Sequence, residues 1–357
     1  MQRMRVLSRL DVSPQRHYSS AKRSLQLPIV ALDDPDATVV AKNLASAFKE
    51  FGFCYLTGHG ISETLQQRTM QSARAFCGLP NDVKASIPIV QNGQGFTRGY
   101  IGIGKESGSD DHVEVKEAFS YGYEWREKTP SSAFQNGLQG HNVWPPAKHW
   151  APAHRAAMNE FFGGMVDASW SVATALAHSL YGDKNALVRH CAEGDTISIM
   201  RLFHYFPYER FGQPVPQGFA CIGSSPHTDW GFLTLILQDE VGGLQVLHRD
   251  EWIDVPYIPG TLVANAGDYL SLVTNGECVS PVHRVIADER ERYSMVFFYY
   301  PAFDASIPSV FKERLGIGAH RGTATNKFNN LLDGTVADAN AGFGEYIQAK
   351  WAGVQRS

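Results

Sequence analysis

Several features are scarce in this sequence, and each shortage removes a class of protein. The five cysteines (Cys54, Cys77, Cys191, Cys221 and Cys278) lie far apart, with no C-x-x-C pair. That excludes a disulfide framework or a thiolate zinc site and leaves them as reduced, buried thiols. No stretch approaches the roughly 20 apolar residues of a spanning helix, so a membrane is not expected as a partner. A formal charge of −4 over 357 residues gives no basic footprint, so nucleic acid is not expected either. Internal repeats are lacking, and after residue 196 no helices alternate with the strands, which excludes a parallel doubly wound sheet.

What is present begins with an unusual N-terminus. Residues 1–23 carry Arg3, Arg5, Arg9, Arg16, Lys22 and Arg23 against a single acid, Asp11, together with four serines. This is the composition of a transit peptide, and Arg16-His17-Tyr18-Ser19-Ser20 resembles a mitochondrial processing pattern. Mitochondrial import is the expectation; the alternative is a disordered basic tail on a cytoplasmic protein.

The ordered chain is expected from Leu27. Residues 27–190 read as a first region of helices and strands. Apolar residues at helical spacing (Val39, Val40, Leu44, Phe48, Phe51) end at Gly52, and Phe53–Thr57 reads as a strand. A second helix is expected over Ser62–Cys77, a long polar loop over 90–111, a strand over Val115–Trp125 and a long helix over about 150–182. Residues 191–357 read as a second region, with short strands at Ile197–Phe206, Phe232–Gln238, Leu244–Leu247, Leu262–Ala266, Val282–Ile286 and Tyr293–Tyr300, and a C-terminal helix. The expected fold class is α+β with a mainly β core: a double-stranded β-helix (jelly roll, cupin-like) with helices packed outside it.

Within that frame, His227-Thr228-Asp229 places an imidazole and a carboxylate on one side of a strand end, because side chains alternate with a period of two. With a distant His283 in another strand, they make the two-His, one-carboxylate set that suits a mononuclear iron(II) with open positions. The pair alone is weak evidence, since His248-Arg249-Asp250 repeats it and His112-Val113-Glu114 nearly does. Context separates them: the former fits a hairpin loop and the latter the polar end of the long loop. Downstream, Arg292 and Ser294 share a strand face, so a guanidinium and a hydroxyl point together at a site suited to a dicarboxylate.

The joint pattern resembles the 2-oxoglutarate/Fe(II)-dependent dioxygenase superfamily, in the branch that includes isopenicillin N synthase. The matching pieces run from Phe51–Ile61 through Met200–Tyr205, His227–Asp229, Gly242–Val246, Asn265–Asp268 and Thr274–Gly276 to His283–Val285 and Arg292-x-Ser294. Phe203-His204-Tyr205-Phe206-Pro207 departs from the plant pattern and looks more like microbial members. The resemblance implies Fe(II) at His227, Asp229 and His283, with 2-oxoglutarate held by Arg292, Ser294 and Tyr205, and Phe298 facing the substrate. It also implies O2 as co-reactant and ascorbate as a stimulant. The reaction expected is oxidation of a small organic molecule by hydroxylation, desaturation or cyclisation, releasing succinate and CO2. Two alternatives stand beside it: an Fe(II) oxidase of the same fold that does not use 2-oxoglutarate, and a noncatalytic metal-binding jelly roll. Arg98, Tyr100, Lys116 and Tyr121 flank the long loop as candidate substrate contacts, and Asp268 is read as ordering a turn before the next strand.

Overall fold

The computed structural model describes residues 26–87, 90–91, 97–105, 112–207, 220–305 and 342–354. The basic N-terminal segment lies outside them. In chain order the strands are β1 (Ile29–Ala31), β2 (Phe53–Thr57), β3 (Val90–Gln91), β4 (Thr97–Ile101), β5 (His112–Glu114), β6 (Lys116–Gly122), β7 (Ile199–Tyr205) and β8 (Ala220–Ile222). They continue with β9 (Ser224–His227), β10 (Leu233–Gln238), β11 (Leu244–His248), β12 (Glu251–Asp254), β13 (Leu262–Ala266), β14 (His283–Val285) and β15 (Arg292–Tyr299). The helices are α1 (Ala37–Glu50), α2 (Glu63–Cys77), α3 (Asn81–Ala85), α4 (Pro152–Tyr181), α5 (Asn185–Val188), α6 (Asp268–Val273) and α7 (Phe343–Val354).

Local chemistry accounts for the helix ends. Asp36 caps α1 by accepting from the Thr38 backbone N–H, and Ser62 caps α2 by accepting from that of Leu65. Gly52 ends the first helical segment at a φ of +65°, where a Cβ would meet the Val279 carbonyl oxygen at 2.1 Å. No other residue fits there. The buried faces of α1 (Val40, Leu44, Phe48) and α2 (Leu65, Phe76) pack with α4 into one apolar core.

The strands form a nine-stranded sheet in the order β1-β2-β13-β10-β15-β7-β6-β4-β3 and a four-stranded sheet in the order β12-β11-β14-β9. The two-face logic of a strand then divides the molecule. One face of the large sheet carries Phe119, Tyr121, Leu202, Leu235, Met295 and Phe297, all in the helix-covered core. The other carries Phe53, Tyr55, Phe203, Tyr205, Ile236, Val263 and Val296, which pack on Leu244, Val246 and Val285 of the small sheet. That second interior is the jelly-roll barrel.

Three expectations need correction. The stretch 90–111 is not one long loop, because β4 lies in it and pairs with β6. The strand expected to run to Trp125 ends at Gly122. His112-Val113-Glu114 is a strand, not a loop end, and pairs in parallel with β8 more than a hundred residues away. A partner so distant leaves no local trace in three residues. The other repeat, at His248, fits its reading: Arg249 and Asp250 have φ of +50° and +64°, as a two-residue hairpin loop between β11 and β12 requires.

On the helix side a buried ion pair ties α3 to the sheet. Lys84 Nζ lies 2.8 Å from both oxygens of Glu117, which also accepts from Tyr100 (2.7 Å) and contacts His204 Nδ1 (2.9 Å). Burial pushes the Glu117 carboxyl up, but His204, Lys84 and Tyr100 outweigh it and leave the pKa below the ordinary value. Cys77 joins Glu117 and His204 in a compact group of metal-ligand types. The Lys84 ammonium, bonded to both Glu117 and the Cys77 carbonyl, already supplies the positive charge there. Removing one partner strands the other charge, so Lys84→Ala is expected to lower stability by about 3–5 kcal/mol. Denaturant midpoints check this; a loss under about 1 kcal/mol would show that the pair does not clamp α3.

Candidate metal centre and its cavity

His227 ends β9 and His283 opens β14, and the two are direct cross-strand partners. Their ring centroids lie 4.3 Å apart. Asp229 follows in the loop after β9, with its carboxylate oxygens 3.7 Å from His227 Nε2 and from His283 Nε2. Each imidazole has its Nδ1 on a backbone carbonyl, Ser225 O at 2.7 Å and Pro281 O at 3.2 Å. A proton on Nδ1 satisfies those contacts and turns the Nε2 lone pair toward Asp229. Three lone-pair donors thus face one another beyond hydrogen-bonding range. Such a set fits a divalent cation and little else.

The electrostatics agree. Burial and the neighbouring His283 ring pull the His227 pKa down, favouring a neutral ligand imidazole. Burial works against ionised Asp229, but the two imidazoles and hydrogen bonds from Thr234 and Asn265 outweigh it and hold the carboxyl below its usual range. Asn265 Nδ2 donates to Asp229 Oδ2 at 2.8 Å.

Asp268 does more than order a turn, and a helix follows it, not a strand. Burial raises its pKa to about 7. Its carboxyl accepts from Thr228 (3.1 Å) and Ser280 (2.6 Å), joining the loop that carries Asp229 to the segment that leads to His283. Its backbone N–H donates to the Asp229 carbonyl at 2.7 Å. The preceding Gly267 permits this approach, since a Cβ there would meet the Gly231 carbonyl at 2.1 Å.

His227, Asp229 and His283 line a cavity of about 180 Å³ inside the barrel. Arg292, Ser294, Tyr205, Phe298 and Lys116 line it as well; Arg98, Tyr100 and Tyr121 do not. Arg98 instead donates to Asn142 (2.7 Å) and the Leu138 carbonyl (3.1 Å), Tyr100 to Glu117, and Tyr121 to the Met158 carbonyl (3.0 Å). Their positions explain it: Tyr100 pairs with Phe119 on the helix-covered face, whereas Lys116 and Tyr205 pair on the barrel face. His59, conspicuous in the sequence, contacts the Gly260 carbonyl and the Ile61 N–H in a loop.

Arg292 and Ser294 lie side by side, with Nη1 donating to Ser294 Oγ at 3.2 Å. Residues that sequence reasoning missed position this guanidinium: the Gly242 carbonyl accepts from Nε and Gln238 Oε1 accepts from Nη2. Gln238 is the cross-strand partner of Ser294, a relation set by the pairing of β10 with β15 and not by any local signal. Tyr205 is the cross-strand partner of Arg292, whose guanidinium carbon lies 4.7 Å from the ring centroid. Among the contacts of Tyr205 in the structure are Arg292 itself and the Phe203 ring, whose centroid lies 6.0 Å from that of Tyr205. Glu114 also belongs to the wall, 2.7 Å from Lys116 Nζ and accepting from the Ser225 N–H at 2.8 Å.

A jelly roll whose interior presents two imidazoles and a carboxylate is the frame of a mononuclear non-haem iron enzyme. Comparison with known proteins makes the class specific. The pattern of the 2OG-Fe(II) oxygenase superfamily matches residues 196–301, and that of the non-haem dioxygenase in morphine synthesis N-terminal family matches residues 27–147. The 2-oxoglutarate-dependent dioxygenase citB of Monascus ruber is 36% identical over 293 residues, covering 78% of this chain and 86% of its own. Homoarginine-6-hydroxylase 2-ODD-C23 of Glycine max is 34% identical over 283 residues, covering 77% and 81%. Among solved structures, a full-length Neurospora crassa protein crystallised in complex with alpha-KG superposes with a TM-score of 0.70 at 25% identity, covering 93% of this chain and 98% of that one. The chain belongs to the 2OG-Fe(II) oxygenase superfamily, in its isopenicillin N synthase-like branch. It is a 2-oxoglutarate-dependent Fe(II) dioxygenase acting on small molecules. No helix among the described residues is long and apolar enough to cross a membrane.

The wall pair Glu114–Lys116 yields a pH prediction. Burial pushes Glu114 up, but Lys116 and the Ser225 contacts outweigh it and bring its pKa down to about 2. A depressed carboxyl contributes stability above its unfolded pKa of about 4.3, and that stability is lost as pH falls toward the folded value. Glu114→Gln is therefore expected to be less stable than wild type at pH 7, and to lose less stability between pH 5 and pH 3. Urea midpoints at the three pH values check it. Parallel acid losses in the two proteins would mean that Glu114 is not held in this way.

Proposed function

We propose that His227 and His283, through Nε2, and Asp229, through its carboxylate, hold Fe(II), and that Arg292 and Ser294 receive the distal carboxylate of 2-oxoglutarate. The observation that supports the metal reading most directly is the Nε2 pair facing Asp229 at 3.7 Å, with both Nδ1 atoms on backbone carbonyls. The cosubstrate reading is supported by the Arg292–Ser294 pair in the same cavity. When bound, the iron couples decarboxylation of 2-oxoglutarate, to succinate and CO2, with oxidation of a substrate C–H bond by O2. The product is a hydroxylated, desaturated or cyclised small molecule.

The chain's own contribution is orientation and exclusion of water. Gln238 and the Gly242 carbonyl set the guanidinium plane, and the Tyr205 ring supports one face of it. Its fork then meets a carboxylate with two parallel N–H donors, and the Ser294 hydroxyl adds a third. In this reading the Tyr205 hydroxyl reaches the same carboxylate. Phe298 and Val296, on the same face of β15, form an apolar wall for the substrate, and Lys116 stands on the wall near Tyr205.

The test is an anaerobic titration of Fe(II)-loaded protein with 2-oxoglutarate, followed in the visible spectrum. A saturable charge-transfer band is expected; iron binding without the band would favour an oxidase that does not use 2-oxoglutarate. Asp229→Ala is expected to lose metal binding by calorimetry together with succinate formation, and full turnover in that variant would remove the ligand assignment. Arg292→Ala deletes a buried, charge-matched contact and should raise the 2-oxoglutarate midpoint on the order of 30-fold or more. An unchanged midpoint would put the distal anchor elsewhere.

A further inference from the structure

Besides Arg292, the described residues of the cavity wall include the cations Lys116 and Arg201. Lys116 is matched by Glu114 at 2.7 Å and also donates to Ser224 Oγ at 3.3 Å. Arg201 stands on β7. It is buried to 6% exposure on the barrel face of β7, opposite Val296, which in turn pairs with Ile236. The next rung along the same face is Phe298–Thr234–Asn265, whose Asn265 holds Asp229. One such rung is about 6.6 Å, whereas Arg292 lies opposite Tyr205, four residues or about 13 Å along β7. Arg201 thus belongs to the metal end of the cavity and Arg292 to the far end.

The guanidinium carbon of Arg201 lies 4.8 Å from the Phe203 ring centroid, and Nε donates to Ser120 Oγ at 3.1 Å. Stacking on the ring and the bond to Ser120 fix the plane in which the N–H groups donate. A fixed, planar fork is suited to a carboxylate. Around it the wall is apolar, with Phe203, Ile236, Val296 and Phe298. Neither charge of a bound 2-oxoglutarate needs this residue: Arg292 meets the distal carboxylate, and the metal meets the 2-oxo acid end.

From this placement, and resting on the metal and cosubstrate reading above, we infer that Arg201 receives a carboxylate of the substrate. The substrate is a small organic acid whose apolar body lies against Phe203, Val296 and Phe298.

The test uses the full-length protein loaded anaerobically with Fe(II) and 2-oxoglutarate, and reads the perturbation of the charge-transfer band. The probes are acids paired with their uncharged amides: benzoate with benzamide, 3-phenylpropanoate with 3-phenylpropanamide, hexanoate with hexanamide. At least one acid is expected to perturb the band with a midpoint about tenfold or more below that of its amide. Arg201→Gln should abolish that preference, Arg201→Lys should keep part of it, and the 2-oxoglutarate midpoint should stay within about twofold in both. Equal effects of acids and amides on the wild type, or no effect of any acid, would overturn the inference whether or not the variants fold. A 2-oxoglutarate midpoint raised in Arg201→Gln as in Arg292→Ala would overturn it too, by placing Arg201 on the cosubstrate. Failure of the band to form in the wild type would refute the metal and cosubstrate reading and this inference with it. A normal band without acid preference refutes this inference alone.

Discussion

Two imidazole lone pairs and a carboxylate aimed at one point repel each other, and much of the barrel is arranged to hold them there. The cost of such an arrangement falls on the scaffold, since both Nε2 atoms stand 3.7 Å from the Asp229 carboxylate, beyond hydrogen-bonding range. Pairing of β9 with β14 sets the two rings side by side. Asn265 and the Asp268 backbone fix Asp229 from behind. Asp268 then bridges the segments that carry the two arms, through Thr228 and Ser280. Each donor is fixed by contacts that do not involve a metal, which separates this site from small metal domains whose fold is supplied by the ion.

The second organising constraint is the alternation of the large sheet. It gives one chain two interiors with different chemistry: a helix-covered apolar core and a barrel that carries Arg201, Arg292, Ser294, Gln238 and Thr234. The helix-covered interior is not wholly apolar. Glu117 and His204 point into it, and Lys84 meets them there as an internal counterion. Inward charge is tolerated on both faces only where a partner on a neighbouring element is fixed by packing.

How much of this was legible in the sequence follows from the same alternation. His227-x-Asp229 and Arg292-x-Ser294 could be read because each pair is local and shares a face. The joint pattern pointed to the jelly roll and the family, and the comparisons agree. The candidate substrate contacts were grouped by nearness to a loop, and there the reading failed. Lys116 and Tyr121 are five apart on one strand, so they cannot share a face, and only Lys116 reaches the cavity. Glu114 was missed for a different reason. Its strand is three residues long and pairs in parallel with a distant one, so neither periodicity nor a turn signals it. Gln238 and Arg201 were missed because their roles depend on cross-strand register, which a single sequence does not contain.

Register also sets the order of polar and apolar residues along the cavity. From Tyr205 and Arg292 the rungs run to Phe203, Ser294 and Gln238, then to Arg201, Val296 and Ile236, then to Phe298 and Thr234. On the proposed reading, a five-carbon dicarboxylate held at the first rung would lie along this ladder toward the metal, with its polar groups met at both ends. The apolar residues on the later rungs cannot serve that molecule's charges. They are an investment only if a second molecule with apolar surface enters beside it, because buried apolar wall gains free energy by covering apolar ligand surface. On the proposed reading the ladder separates the two ligands along a single direction: the distal charge of the cosubstrate is met at the far rung, and the hydrocarbon and carboxylate of the substrate on the rungs nearer the metal.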